Sequence, residues 1–372
     1  MRFFLPLRRD IKTVPPLISL IRGLIAEGHE VHLFTYYNSP GTLAGVASDK
    51  LKITTISDHP YPASLAGRII ALIRSYLRLW KEVGKMDGCD YFWISSWDYR
   101  GLEKLAARPN VQAKIVYQSH EYEPHRFKYC RLAHAVVVPE ENRGWLTFVN
   151  AGLAARPLLL PNCPIDHPRE FPEKEADPVL DALEAEGKRI VLYQGYLALK
   201  ERCIPELLEA ISFCDERMVL CIMPASRLTE TLRQSMDELI SRFRLQNRVF
   251  FIETRVAPAH MRVIARAHIG IGLYRPTSIN QVYCAPNRLY EFTGFGTPVV
   301  LPDAPGMNQI AGRYAGVLTC NPENPAAISA ALMSLMENEH YQKARVGAVA
   351  FFQHEADYQA SLREVISKLP AP

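Results

Sequence analysis

The chain has 372 residues, 48% of them hydrophobic and 22% charged, with a net charge of +4. That length is about twice a typical domain of ~100–200 residues, so two domains are expected; the composition excludes a largely disordered chain, and the mild charge gives no argument for a nucleic-acid partner. No apolar run approaches the ~20 residues of a spanning helix, the start MRFFLPLRRDIKT is too charged for a signal peptide, and eight cysteines without a C-x-x-C pair read as reduced structural thiols, all of which predicts a cytoplasmic protein.

From the amino end, the first strand is expected to turn into its helix through PLRRDIKTVPP, a glycine-free loop. Arg8, Arg9 and Lys12 in that loop suit either an acidic or phosphorylated acceptor or simple solvation. Buried-strand patterns follow in HEVHLFT, LKITTI, DYFWIS, AKIVYQS and HAVVVPE, and later in RIVLYQG, MVLCIM, RVFFIE, IGIGLY and TPVVLP. Runs that are apolar on both faces belong in parallel sheet, and the amphipathic stretches between them complete a β-α alternation. The fold class is therefore α/β, with two doubly wound, Rossmann-like domains facing across a cleft.

The segment GRIIALIRSYLRLWKEVGK, 67–85, holds five bases and one acid. On a helix Ile69, Ile73, Tyr76, Trp80 and Val83 share one face and Arg74, Arg78, Lys81 and Lys85 the other. The apolar face is expected to meet the core and the basic face to rest against solvent or anionic lipid headgroups. Two strand ends follow. Asp98, in WISSWDYRG, is a carboxylate that suits a general base if an enzyme here inverts configuration, and His120 and Glu121, in AKIVYQSHEYEP, lie at the ligand edge of a parallel sheet. A histidine there can bond a hydroxyl or take up a proton.

Five prolines in PNCPIDHPREFPEKEADP, 161–178, interrupt the alternation. The expected division is a first domain over 1–164, a linker over 165–188, a second domain over 189–347 and a C-terminal helix, 348–372, packing back on the first domain.

In the second half, Gly195 ends the strand RIVLYQG and permits close approach of the backbone. The stretch YCAPNRLYEFTGFGTPVVLPDAPG, 283–306, follows the strand IGIGLY, so the loop 277–286 lies at the carboxyl edge of the sheet. Pro286 suits the first turn of a helix whose Asn287 and Arg288 amides then point at an anion. Glu291, one turn deeper, is placed to accept the two hydroxyls of a ribose. Spacing alone leaves a solvated Glu291 on an ordinary helix equally open.

The segment APNRLYEFTGFGTPVV resembles the donor-binding stretch of glycosyltransferase family 4, where Pro-x-Lys/Arg-x-x-Glu leads into an A/F-G-x-P-V-V strand. The resemblance implies the GT-B fold and a sugar-nucleotide-dependent transferase, with Glu291 on the ribose and Pro286, Asn287 and Arg288 on the diphosphate. The neighbouring Cys284 and Ala285 fall in the same contact segment. Tyr283 stands where many members have a second glutamate, and it implies stacking or hydrogen bonding to the sugar.

RIVLYQGYLALKERCIPELLEAI resembles the family's strand, glycine turn, basic pair and helix. Gly195 and Tyr196 thereby belong to the donor pocket, with Lys200 and Arg202 beside the departing diphosphate. The same resemblance implies Arg255 and Val256 near the base, Tyr274 and Asn280 at the donor sugar, and His120 near that sugar too. No D-x-D triplet or metal-spaced cluster occurs, so neither cofactor nor metal is expected, the NDP-sugar being a co-substrate.

The implied reaction is transfer of a hexose, with retention, to a glycolipid or saccharide acceptor in polysaccharide or glycolipid synthesis. A sugar-nucleotide epimerase or hydrolase, and a non-catalytic subunit of a transferase complex, are the alternatives on the same scaffold.

Overall fold

The computed structural model describes residues 1–43, 45–46, 49–83, 88–95, 113–171, 173–255, 258–283 and 286–372. The chain divides into two compact units, 1–166 with 357–372, and 167–356.

In the first unit the strands are β1 (Arg2–Asp10), β2 (Glu30–Tyr37), β3 (Leu51–Thr55), β4 (Tyr91–Ser95), β5 (Lys114–Gln118), β6 (Ala135–Val138) and β7 (Leu158–Leu159). Between them lie α1 (Pro15–Ala26), α2 (Leu65–Val83), α3 (Phe127–Cys130) and α4 (Glu141–Ala151). All pairings are parallel, in the order β3-β2-β1-β4-β5-β6-β7. Apolar residues on both faces of the central strands explain this arrangement. Phe4, Phe92, Ile115 and Tyr117 feed one side, and Phe3 stacks on Tyr91 with ring centroids 5.1 Å apart.

The second unit contains α5 (Pro178–Ala185), β8 (Arg189–Gly195), α6 (Ile204–Phe213), β9 (Met218–Pro224), α7 (Glu230–Arg242), β10 (Val249–Phe251), α8 (His260–Ile264) and β11 (Ile269–Ile271). It continues with α9 (Ile279–Val282), α10 (Asn287–Thr293), β12 (Val299–Pro302), α11 (Pro305–Ala311), β13 (Val317–Cys320), α12 (Pro325–Ser334) and α13 (Asn338–Glu355). Its sheet is also wholly parallel, ordered β10-β9-β8-β11-β12-β13. The last helix, α14 (Tyr358–Ser367), returns to the first unit. There Leu362 packs on α1 at Gly23, and the Gln359 amide donates to the Gly23 carbonyl at 3.3 Å.

Both sheets grow outward in two directions from their first strand, so the strand order reverses between β1 and β4 and between β8 and β11. Ligands of open α/β sheets bind at the carboxyl ends of the strands at such switch points. The α/β, doubly wound class expected from the strand patterns is the one observed.

Several local expectations change. Arg8 and Arg9 belong to β1, which pairs with β2 as far as Asp10 opposite Tyr37, so only Lys12 of the three bases lies beyond the strand. Asp10 closes that end: its carboxylate accepts from the Ser39 hydroxyl and from the Lys12 amide at 3.2 Å, and the hydrogen bonds keep it at 5% exposure. The strand pairing therefore outlasts the apolar run that signals it. Residues 165–188, expected as linker, include α5, started by Asp177, whose carboxylate accepts from the amides of Val179 and Leu180.

The larger correction concerns α2. Tyr76, Trp80 and Val83 do pack against the core cluster, but the buried face is built on Ala71, Ser75 and Leu79. Ile69, Ile73 and Leu77 are 52%, 56% and 69% exposed, and Leu65 and Ile70 are exposed beside them. Arg78, assigned to the outer face, is exposed, and its guanidinium reaches back to donate to the Ile56 carbonyl at 2.9 Å. Residues four apart share one helix face, so burial of Ala71, Ser75 and Leu79 turns the aliphatic stripe outward. Lys85 lies outside the described residues.

Candidate functional site

The carboxyl edge of the second sheet gathers the polar side chains of that unit around one carboxylate. β8 ends at Gly195, whose φ of +114° is a conformation that favours glycine. A Cβ placed there would stand 3.6 Å from the Arg288 guanidinium. Arg288 is in the first turn of α10. Its guanidinium lies 5.0 Å from the centroid of the Tyr193 ring on β8 and 3.5 Å from the Ile271 carbonyl that ends β11. It thus spans the two strands of the switch point. The Tyr193 hydroxyl donates to the Tyr196 carbonyl at 2.6 Å and fixes the turn after Gly195.

One turn along α10, Glu291 is 15% exposed and held at both ends. The Gln194 side-chain amide donates to one carboxylate oxygen, and His260 Nε2 is 3.3 Å from the other. His167 fixes the backbone. Its Nδ1 accepts from the Arg169 amide at 3.0 Å, so Nε2 carries the proton and donates to the Glu291 carbonyl at 2.9 Å. Burial lowers the His167 pKa, which keeps that ring neutral. The solvated reading of Glu291 does not survive these contacts. A carboxylate has about four acceptor positions, and Gln194 and His260 use two.

The basic pair is divided by its surroundings. Lys200 is exposed, and its carbonyl accepts from Arg275 Nε at 2.8 Å. Arg202 sits 5.9 Å from the centroid of the Tyr274 ring, which is 3% exposed. Burial raises the Tyr193 pKa, while Arg288 and then Arg202 act in the opposite direction, so both guanidinium groups bear on the same phenol. Between the pair and α6, Cys203 takes a left-handed φ of 51°, a strained choice for a residue with a Cβ.

Pro286 is the cap of α10 rather than a residue of its first turn, in extended conformation with no side chain capping the helix. Asn280 lies on α9, and Tyr283 follows it against Gly306 of α11, whose ideal Cβ would be 3.5 Å from the Tyr283 Cα. Arg255 is ion-paired: its guanidinium meets Glu175 at 2.6 Å and Asp177 at 3.0 Å, ahead of α5. Val256, Cys284, Ala285 and Asp98 lie outside the described residues.

In the first unit, His120 follows β5 and is 2% exposed; its carbonyl accepts from Arg143 Nη1 at 2.7 Å. Burial lowers its pKa to about 4, with the Asn162 side chain opposing and Arg143 assisting. Glu121 beside it is exposed. His120 is therefore neutral at physiological pH, suited to hydrogen bonding. Between its unfolded value of 6.5 and about 4 the unfolded chain binds a proton that the folded chain refuses, so acidification through that window costs up to about 1.4 kcal/mol per pH unit, and nothing above 6.5. The His120 ring is expected to titrate near pH 4 by NMR, and His120→Gln should reduce the pH dependence of the urea midpoint between about pH 4 and 6.5. A ring that titrates near 6.5 would contradict this.

No protein-family model and no curated protein sequence matches the chain. Solved structures do. HepE (Alr3699) of Anabaena, in complex with UDP and glucose, is similar at a TM-score of 0.68 and 14% identity over 99% of each chain. A glycosyltransferase from Rickettsia africae ESF-5 is similar at 0.70 and 12% identity, over 98% of this chain and 97% of that one. WaaG, a glycosyltransferase involved in lipopolysaccharide biosynthesis, is similar at 0.60 and 12% identity over 98% of each. The sheet orders and these likenesses together make the fold of the chain the two-Rossmann-domain, GT-B fold of these glycosyltransferases.

Proposed function

We propose that the chain is a glycosyltransferase that takes its sugar from an NDP-sugar held by the second unit. The observation that carries the reading is Glu291, fixed by Gln194 and His260 one turn after Arg288 at the switch point of the sheet. In this reading the ribose hydroxyls take the two remaining acceptor positions of Glu291. Arg288, Arg202 and Lys200 face the diphosphate, and their charge serves in place of a metal. Tyr274, Asn280 and Tyr283 flank the donor sugar. The UDP and glucose bound to HepE support a nucleotide-sugar donor, and the resemblance to family 4 supports retention. A thermal-shift screen across UDP-, GDP- and ADP-sugars tests the proposal, since a ligand of the native state raises its melting temperature; no shift with any of the three would refute it.

The acceptor in this reading is a glycolipid or lipid-linked saccharide, reached from the cytoplasmic face of a membrane. Among the described residues no helix is long and apolar enough to cross one. The support is α2, where Leu65, Ile69, Ile70, Ile73 and Leu77 form an exposed apolar stripe with Arg68, Arg74 and Lys81 around it, the pattern of a helix lying in an anionic lipid interface. Burying an aliphatic side chain fully contributes about 1.5–3 kcal/mol. The triple change Ile69→Ser, Ile73→Ser, Leu77→Ser is therefore expected to lower partitioning onto phosphatidylglycerol vesicles at least tenfold, with the circular dichroism unchanged. Equal sedimentation of both proteins would rule the stripe out as an anchor.

A further inference from the structure

The opposite edge of the second sheet, where β8, β11 and β12 begin, carries a groove of about 560 Å³. Six of its lining side chains are Lys or Arg and one, Glu184, is acidic. Ion pairing accounts for half of the cations: Lys174 meets Glu184 at 2.8 Å, Arg217 meets Asp215 at 2.9 Å, and Arg266 meets Asp181 at 2.6 Å and Glu184 at 2.9 Å. The other three are poorly compensated. Lys188 comes only within 4.0 Å of Glu186. Arg189 lies over the Tyr341 ring, 5.1 Å from its centroid, and Arg345 follows Tyr341 by one turn of α13, on the same face. Among the described residues neither arginine has a carboxylate within ion-pair distance.

His268 adds a neutral donor. Its Nδ1 accepts from the Ile190 amide at 3.1 Å, which leaves the proton of the neutral ring on Nε2. Burial lowers its pKa, and Arg189, Arg345 and Lys174 push the same way against Glu184, so a positive potential converges where these side chains meet.

We propose that this groove is a second anion site for a phosphate-bearing small molecule, gripped by Arg189, Arg345 and Lys188 with the His268 Nε2–H as a further donor. Paired arginine forks match phosphate oxygens in a way that scattered surface lysines do not. The volume falls in the range of small-molecule sites, about 300–1,000 Å³, which leaves room for a sugar-sized remainder beside the phosphate. The site shares no residue with the Glu291 cluster and does not rest on the transferase reading.

Pyrophosphate titrated calorimetrically into the full-length wild type, Arg189→Gln/Arg345→Gln and Arg288→Ala tests it, the last variant taking the best-fixed cation from the proposed donor site. The wild type and Arg288→Ala are expected to keep the binding event at the groove, and the double variant to lose at least tenfold in affinity with an unchanged circular dichroism spectrum. Should the double variant fail to fold, the single change Arg345→Gln, at an exposed position, is expected to weaken binding at least threefold. Sedimentation with phosphatidic acid vesicles that requires Arg189 and Arg345 would place the phosphate on a lipid headgroup, whereas pyrophosphate binding without such sedimentation would make it a soluble anion. Absence of pyrophosphate binding to the wild type, or equal affinity in wild type and arginine variants, would overturn the proposal.

Discussion

Glu291→Ala is expected to weaken NDP-sugar binding about 100-fold or more and to remove the thermal shift at ligand concentrations that saturate the wild type. A hydrogen bond to a charged group contributes about 1.5–3 kcal/mol, and a carboxylate that accepts both ribose hydroxyls loses two of them on truncation; about 2.7 kcal/mol already corresponds to 100-fold. The geometry makes the effect large because Gln194, His260 and His167 hold the carboxylate and its backbone before any ligand arrives, so little ordering cost opposes binding. Glu291→Gln separates charge from shape. It keeps one acceptor oxygen but presents an NH2 group to the second hydroxyl or to His260, and an intermediate loss is expected. Gln194→Ala, which frees the carboxylate without removing it, should cost less than either. Wild-type affinity in Glu291→Ala, measured with a donor that the wild type binds, would take Glu291 out of the site and the transferase proposal with it.

The two sheets were legible because their strands are buried on both faces and so read as continuous apolar runs. β7 and β13 escaped that test: β7 is two residues ahead of the proline-rich segment, and β13, VLTC, is short and only half of it is buried. The misread face of α2 has a different cause. Hydrophobicity ranks Ile69 and Ile73 as core, yet the buried face is the one that carries Ala71, Ser75 and Leu79, with a single large aliphatic side chain among them. At the site, local spacing could put Arg288 and Glu291 on one helix near a strand end, since both lie within one turn of Asn287. It could not find the groups that hold the carboxylate. Gln194, His260 and His167 come from positions 97, 31 and 124 residues away in sequence. A polar Gln194 at the end of the buried run RIVLYQG was the one available signal, because nothing apolar explains an amide there. The same limit holds for Arg255, whose carboxylate partners, Glu175 and Asp177, come from outside its motif.

Arg288→Ala is expected to lower kcat by about 10²–10³ with a smaller effect on donor affinity. Loss of the donor's diphosphate builds negative charge on the departing oxygens, and removing one fixed donor aimed at such charge costs about that factor. Arg288 is the side chain best fixed for the task, braced by the Tyr193 ring and the Ile271 carbonyl and lying against Gly195. Arg202, 5.9 Å from the Tyr274 ring where Arg288 lies 5.0 Å from that of Tyr193, and the exposed Lys200 should matter less, each by about tenfold, because a less firmly held cation must be ordered as the reaction proceeds. Arg288→Lys keeps the charge but not the fork, so it should recover only part of the rate. Gly195→Ala provides an independent check: the added methyl would only touch the guanidinium, at 3.6 Å, but at a φ of +114° it strains the turn against which Arg288 lies while leaving the charge in place. Single-turnover sugar transfer, read beside the equilibrium affinity for the free nucleoside diphosphate, separates these effects. A kcat within threefold of wild type in Arg288→Ala would show that the departing charge is stabilised elsewhere, and a fall in diphosphate affinity equal to the fall in kcat would make Arg288 a binding group alone.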